Sequence, residues 1–184
     1  RTQGSTDGRD ANPRTWRSQA GDLGTDFFNF APWWGTLFRA PDFWQAWIDR
    51  YQTERQPGGS LTTTNIYARI EQFYDELKDA QPREQARWAI SPRGTNGTLT
   101  TPPGTFRTEI DWKKHWYGAR LNFMDTNFLD LPVIGGTTGL VPPGSVVSII
   151  PAGKAGSSVF YTLDGTDPRL PNGFISPSAL SNNG

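Results

Sequence analysis

The sequence predicts an α+β, multi-domain chain, helical in its first part and β-rich in its second. Three observations carry this. Apolar side chains recur at helical spacing in several stretches between Pro41 and Asp130. From Val133 onward that period gives way to Val and Ile pairs punctuated by Gly and Pro. The change falls at "DLPVIGG", near Leu131 to Gly136, which places a domain boundary between residues 1–131 and residues 132–184.

The elements follow in chain order. Residues 1–35 read as an irregular loop, because "RTQGSTDGRDANPRTWRSQAGDLGTD" is dense in turn-forming Gly, Asp, Asn, Ser and Thr. From Pro41, residues Phe43, Trp44, Trp47, Ile48 and Tyr51 share one face of a helix. Asp42 is its expected cap, and "QPGGS" at Gln56 to Ser60 ends it. A second helix runs from about Thr63 to Ala80, with Ile66, Ile70, Phe73, Tyr74 and Leu77 inward. "PREQARWAI" is a short third helix with Pro82 in its first turn. "SPRGTNGTLTTPPGT" is a loop, and Thr105 to Asp130 a long helix with Ile110, Trp116, Leu121, Met124 and Phe128 inside. "GSVVSII" and "SSVFYTL" are two strands.

Composition narrows the function. The 184 residues carry 18 basic and 18 acidic side chains, so no basic surface marks a nucleic-acid binder. With no cysteine, disulfides, zinc–thiolate centres and cysteine nucleophiles are excluded. No apolar run reaches the length of a membrane span. The 8 Trp and 11 Phe supply large buried areas per residue. Most of these tryptophans fall at helical spacing and read as core rather than as sugar-stacking platforms. The chain opens on Arg1, with neither Met nor a hydrophobic signal segment, which predicts an internal or processed piece of a longer protein.

Few residues are candidates for chemistry. His115 is the only histidine and lies on the flank of the long helix, so no multi-histidine centre can form. Asp164 and Asp167, with Gly165 between them, are too few for calcium, which takes six to eight oxygens. They read instead as a structural turn, with Gly165 at positive φ and Pro168 fixing the exit. Arg50, Arg87 and Arg120 stand near aromatic residues and read as structural, paired with Asp49, Asp125 or Glu71 or stacked on Trp.

Two segments resemble known families. "LFRAPDFWQAWIDRYQTER", then "EQARW", then "FRTEIDWKKHWYGARLNFMDTNF" together resemble the C-terminal helical part of the CotH (spore coat protein H-like) kinase family of atypical protein kinases. The likeness covers roughly Arg1 to Phe128. It implies a secreted or cell-surface bacterial protein kinase acting with ATP and Mg2+ or Mn2+. It also implies an Asp-x-Asp metal motif just upstream, with Gly4 matching the glycine that follows it. Asp7, Arg9 and Asp10 would then lie near the nucleotide or its metal. Against this stands the reading of "TDGRD" as an ordinary Asp-rich turn. The catalytic groups themselves would precede Arg1, so this chain alone is expected to be inactive and to form a helical platform.

The second segment, "VPPGSVVSIIPAGKAGSSVFYTLDGTDPR", resembles the immunoglobulin-like domain at the C-terminus of chitobiases and β-hexosaminidases. Tyr161, Thr162, Asp164, Gly165, Thr166, Asp167 and Pro168 carry its signature. Such a sandwich uses about seven strands in about a hundred residues. The part here is therefore an incomplete immunoglobulin-like β-sandwich. Its other strands would come from the rest of the polypeptide or from neighbouring subunits. Two other functions stand beside the kinase: a non-catalytic component of a bacterial surface, matrix or filament, and a carbohydrate-binding module. The implied partners are protein, with no nucleic acid and no membrane span.

Overall fold

In the computed structural model, residues 12–14, 36–37, 39–88, 105–136, 139–151 and 154–182 are described. Among them are four helices: α1 (Pro41–Arg55), α2 (Thr63–Leu77), α3 (Gln81–Trp88) and α4 (Phe106–Asn127). Four short strands follow: β1 (Val133–Gly135), β2 (Ser148–Ile150), β3 (Val159–Tyr161) and β4 (Leu180–Asn182). The class is mixed α and β, with the helices first.

Local chemistry explains the helix limits. Pro41 opens α1, where a missing N–H costs nothing. Asp42 lies inside the first turn rather than at the cap. The connection to α2 turns at Gly58, which has φ +86°. It is tied by Glu54, whose carboxylate accepts from the Ser60 hydroxyl at 2.7 Å. Thr62 caps α2 by accepting from the Asn65 amide at 3.3 Å. The helix stops at Leu77, and 78–80 is a turn rather than the last turn of α2. Likewise α3 begins at Gln81, so Pro82 is its second residue.

Helix α4 is buried on opposite sides. At 100° per residue, Ile110, Leu121 and Met124 fall along one side, and all are buried. Trp112, also buried, falls on the other. Trp116 shares that second side and is half-buried, so the inner residues read from the sequence fall on two faces, and Trp112 joins them.

Described residues divide into two compact units, one holding residues 12–14, 51–88 and 105–126, the other 36–37, 39–50 and the described residues from 127 on. In the first, α2 packs Tyr74 on Phe106 of α4, ring centroids 5.5 Å apart. The Tyr67 hydroxyl lies over Gly118, where an added Cβ would come within 2.6 Å of it. In the second, Trp44 and Trp47 stack at 5.2 Å, and each meets Phe128 edge-on.

The strands form two separate antiparallel pairs. β1 runs against β2 with Ile134 opposite Ile149, and β3 against β4 with Phe160 opposite Ser181. "SII" of the first expected strand and "VFY" of the second do form strands. β1 lies within the stretch read as a boundary, and β4 was not anticipated.

Candidate functional site

The most constrained polar cluster of the first unit is built from α1, α4 and the loop after α1. The Asp125 carboxylate accepts from the Tyr51 hydroxyl at 2.6 Å. It also takes Arg55 side-on, Nε to Oδ1 at 3.1 Å and Nη2 to Oδ2 at 2.6 Å. Arg55 donates a third bond to the Leu61 carbonyl at 2.7 Å. One guanidinium thus ties the end of α1, its following loop and α4. Tyr51 is 5% exposed. Burial, and then its bond to the Asp125 carboxylate, push the phenol well above its ordinary range. Donating to the Asp125 carboxylate holds the Arg55 guanidinium more firmly charged.

A second cluster joins α2 to α4. Glu71 accepts both Arg107 terminal nitrogens at 2.7 Å and also pairs with Lys114. Arg107 additionally pairs with Asp111 one turn along α4, and its guanidinium lies over the Tyr74 ring. The hydrogen bonds from Arg107 hold the Asp111 carboxyl below the usual range. Arg120, half-buried, donates to the Pro13 carbonyl at 3.1 Å, and burial lowers its pKa.

These carboxylates have cation partners beyond those read from the sequence. Asp125 is met by Arg55, Glu71 by Arg107 and Lys114, and Asp49 by Arg169. Arg87 does lie over Trp88, and Arg120 over Phe123. Arg50 is exposed on α1. Trp88 is 57% exposed, unlike the core role read for the tryptophans at helical spacing. His115 is exposed on α4.

Beside α2 and α3 lies an open cleft of about 570 Å³, with Tyr74, Lys78, Gln85, Phe106 and Arg107 in its lining. Its cations are engaged: Lys78 pairs with Asp75, and Arg107 with Glu71 and Asp111. The buried indole N–H groups of Trp112 and Trp116 have no hydrogen-bond partner among the described residues.

The C-terminal turn is built from two Asp-anchored steps. Asp164 Oδ1 accepts from the Thr166 hydroxyl at 2.6 Å and the Thr166 amide at 3.0 Å. Asp167 Oδ1 accepts from the Arg169 amide at 2.9 Å. Gly165 sits at φ +78°, and the Thr162 hydroxyl donates to the Thr166 carbonyl. Bonds from Thr166, hydroxyl first, lower the Asp164 pKa, and the Arg169 amide does the same for Asp167. Both carboxylates thus serve the turn.

Gly4, Asp7, Arg9 and Asp10 lie outside the described residues. Among the described residues no three His, Cys, Asp or Glu side chains come together in a way that could hold a metal ion. Nor is any described helix long and apolar enough to cross a membrane. Chemically, the described clusters neutralise carboxylates with cations and so hold helices together. The sequence pattern pointed to Asp125 and Tyr51 as parts of ordered motifs. Arg55 stands in the same segment as Tyr51, but spacing within one helix does not show that it meets Asp125.

Comparison of the chain with protein-family models, with curated proteins and with solved structures gives no match in any of the three.

Proposed function

We propose that this chain belongs to a secreted or cell-surface atypical protein kinase of the CotH-like kind. In that protein it forms the helical platform and not the catalytic groups. One observation carries the reading. Tyr51 and Asp125, drawn from the two longest motif segments of the resemblance, are hydrogen-bonded to each other although 74 positions apart in the chain. A recurring residue order gains a physical purpose if its members meet in this way. The clusters around Asp125 and Glu71 are cation-neutralised, which suits a support for a neighbouring site. ATP, Mg2+ or Mn2+ and a protein substrate belong to the proposed parent enzyme.

Nucleotide-linked stabilisation tests this. A ligand that binds only the folded state raises its apparent stability with concentration. A polypeptide of the proposed parent enzyme that includes this chain should melt at a higher temperature with ATP and Mg2+, and the 184-residue chain should not shift. No shift in the longer polypeptide would remove the kinase reading.

A second reading has its own observation. Large apolar side chains are exposed across the strand region, with Ile134 at 70%, Val146 at 89%, Leu163 at 85% and Phe174 at 69%. Two three-residue strand pairs cannot cover such a set. This supports an incomplete sandwich finished by further strands of the polypeptide or of a neighbouring subunit. It fits a structural role in a surface assembly as readily as a kinase accessory domain.

A further inference from the structure

We propose that the hairpin from Asp167 to Ile175 is a clasp that fixes the β-rich segment onto the first half of α1, so that the two move as one body. All residues involved belong to the second compact unit.

The clasp follows from the turn's geometry. Leu170 to Gly173 closes with the Gly173 amide donating to the Leu170 carbonyl at 3.0 Å. Pro171 and Asn172 are its central residues, and Asn172 has φ +81°, as a type II turn requires. The Leu170 amide donates to the Phe174 carbonyl at 2.7 Å, and Arg169 bridges Ile175. These bonds use the amides of Leu170 and Gly173 but not that of Asn172. The Asn172 amide instead donates to Asp42 Oδ1 at 2.7 Å. A carboxylate accepting a backbone N–H makes a short, charge-assisted bond.

Two further contacts set the register. Gly173, at φ +86°, lies against Pro41, and a Cβ there would stand 3.1 Å from the Pro41 Cβ. The positive φ favours glycine, and a side chain there would crowd Pro41. At the base of the hairpin, Arg169 reaches Asp49 at 3.4 Å while also holding Asp167. Asp42 and Asp49 are seven residues apart, so they lie on one stripe of α1, about 10 Å apart along its axis. The tip of the turn meets the first carboxylate and the base meets the second. Gln45 donates to Asp49 at 2.7 Å and steadies the lower contact. A single exposed ion pair would contribute little. Here an amide–carboxylate bond, a glycine–proline contact and an ion pair act on one rigid turn.

Amide hydrogen exchange by NMR on the whole 184-residue chain tests the clasp. The Asn172 amide should exchange at least about 10-fold more slowly than in an unstructured chain. Asp42→Ala should remove most of that protection, while the Leu170 and Gly173 amides, bonded inside the turn, keep theirs. Asp42→Asn, which keeps an acceptor without the charge, should fall between. Exchange of Asn172 at the unstructured rate, or no change in Asp42→Ala, overturns the proposal. A second experiment uses the unsubstituted chain. Gly173 lies against the Pro41 ring, so a nuclear Overhauser contact between their protons should appear in buffer and vanish in urea. Its absence in buffer also overturns the clasp.

Discussion

Tyr51 is the residue whose surroundings make the sharpest solution prediction. The folded chain holds its phenolic proton above the pH at which the unfolded chain gives it up. Its contribution to stability is therefore complete below about pH 10 and lost as pH rises through the folded value. When absorbance near 295 nm is followed against pH, Tyr51 should contribute a late ionisation step, and Tyr51→Phe should abolish it. Asp125→Ala should lower unfolding free energy by about 2 kcal/mol in urea titration, since it strips partners from a buried hydroxyl and a half-buried guanidinium. An equally stable Asp125→Ala chain would mean that the cluster does not hold α1 to α4.

Helices and turns carry predictions of their own. Thr62→Ala removes the cap of α2 and should cost about 1 kcal/mol. Gly118→Val should separate Tyr67 from α4, because even one added carbon meets the Tyr67 hydroxyl. In the C-terminal turn, Asp164 and Asp167 have lowered pKa values, so their contribution is present above about pH 4 and disappears as pH falls through the folded values. Exchange of the Thr166 and Arg169 amides should quicken together over that acid limb. Much of this level was legible in the sequence. Pro41, the "QPGGS" stretch and the spacing of Ile66, Ile70 and Tyr74 mark α1 and α2 because caps, breakers and period are local signals. Helix α4 was legible in extent, but the burial of Trp112 was not. The strands β1 and β4 also escaped, since neither stands in a longer β-branched or aromatic run like "SVVSII" around β2 and "SSVFYTL" around β3. Their partners lie far along the chain, and pairing is not a local property.

At the scale of the whole molecule, the helix-to-strand order was legible from composition, while the pairing of charges was not. Arg55 with Asp125, Arg107 with Glu71 and Arg169 with Asp49 depend on which faces meet, which spacing within one helix does not reveal. The kinase-platform proposal rests on residue order and on the contact between Tyr51 and Asp125. Its most direct test is transfer of labelled γ-phosphate from ATP, with Mg2+ or Mn2+, to a protein acceptor. The 184-residue chain and a longer polypeptide carrying its upstream neighbour should be assayed side by side. Transfer by the longer polypeptide alone, lost when its upstream metal-binding carboxylates are changed to Asn, is the expected result. Transfer by the 184-residue chain itself, or none by either, would contradict the platform role.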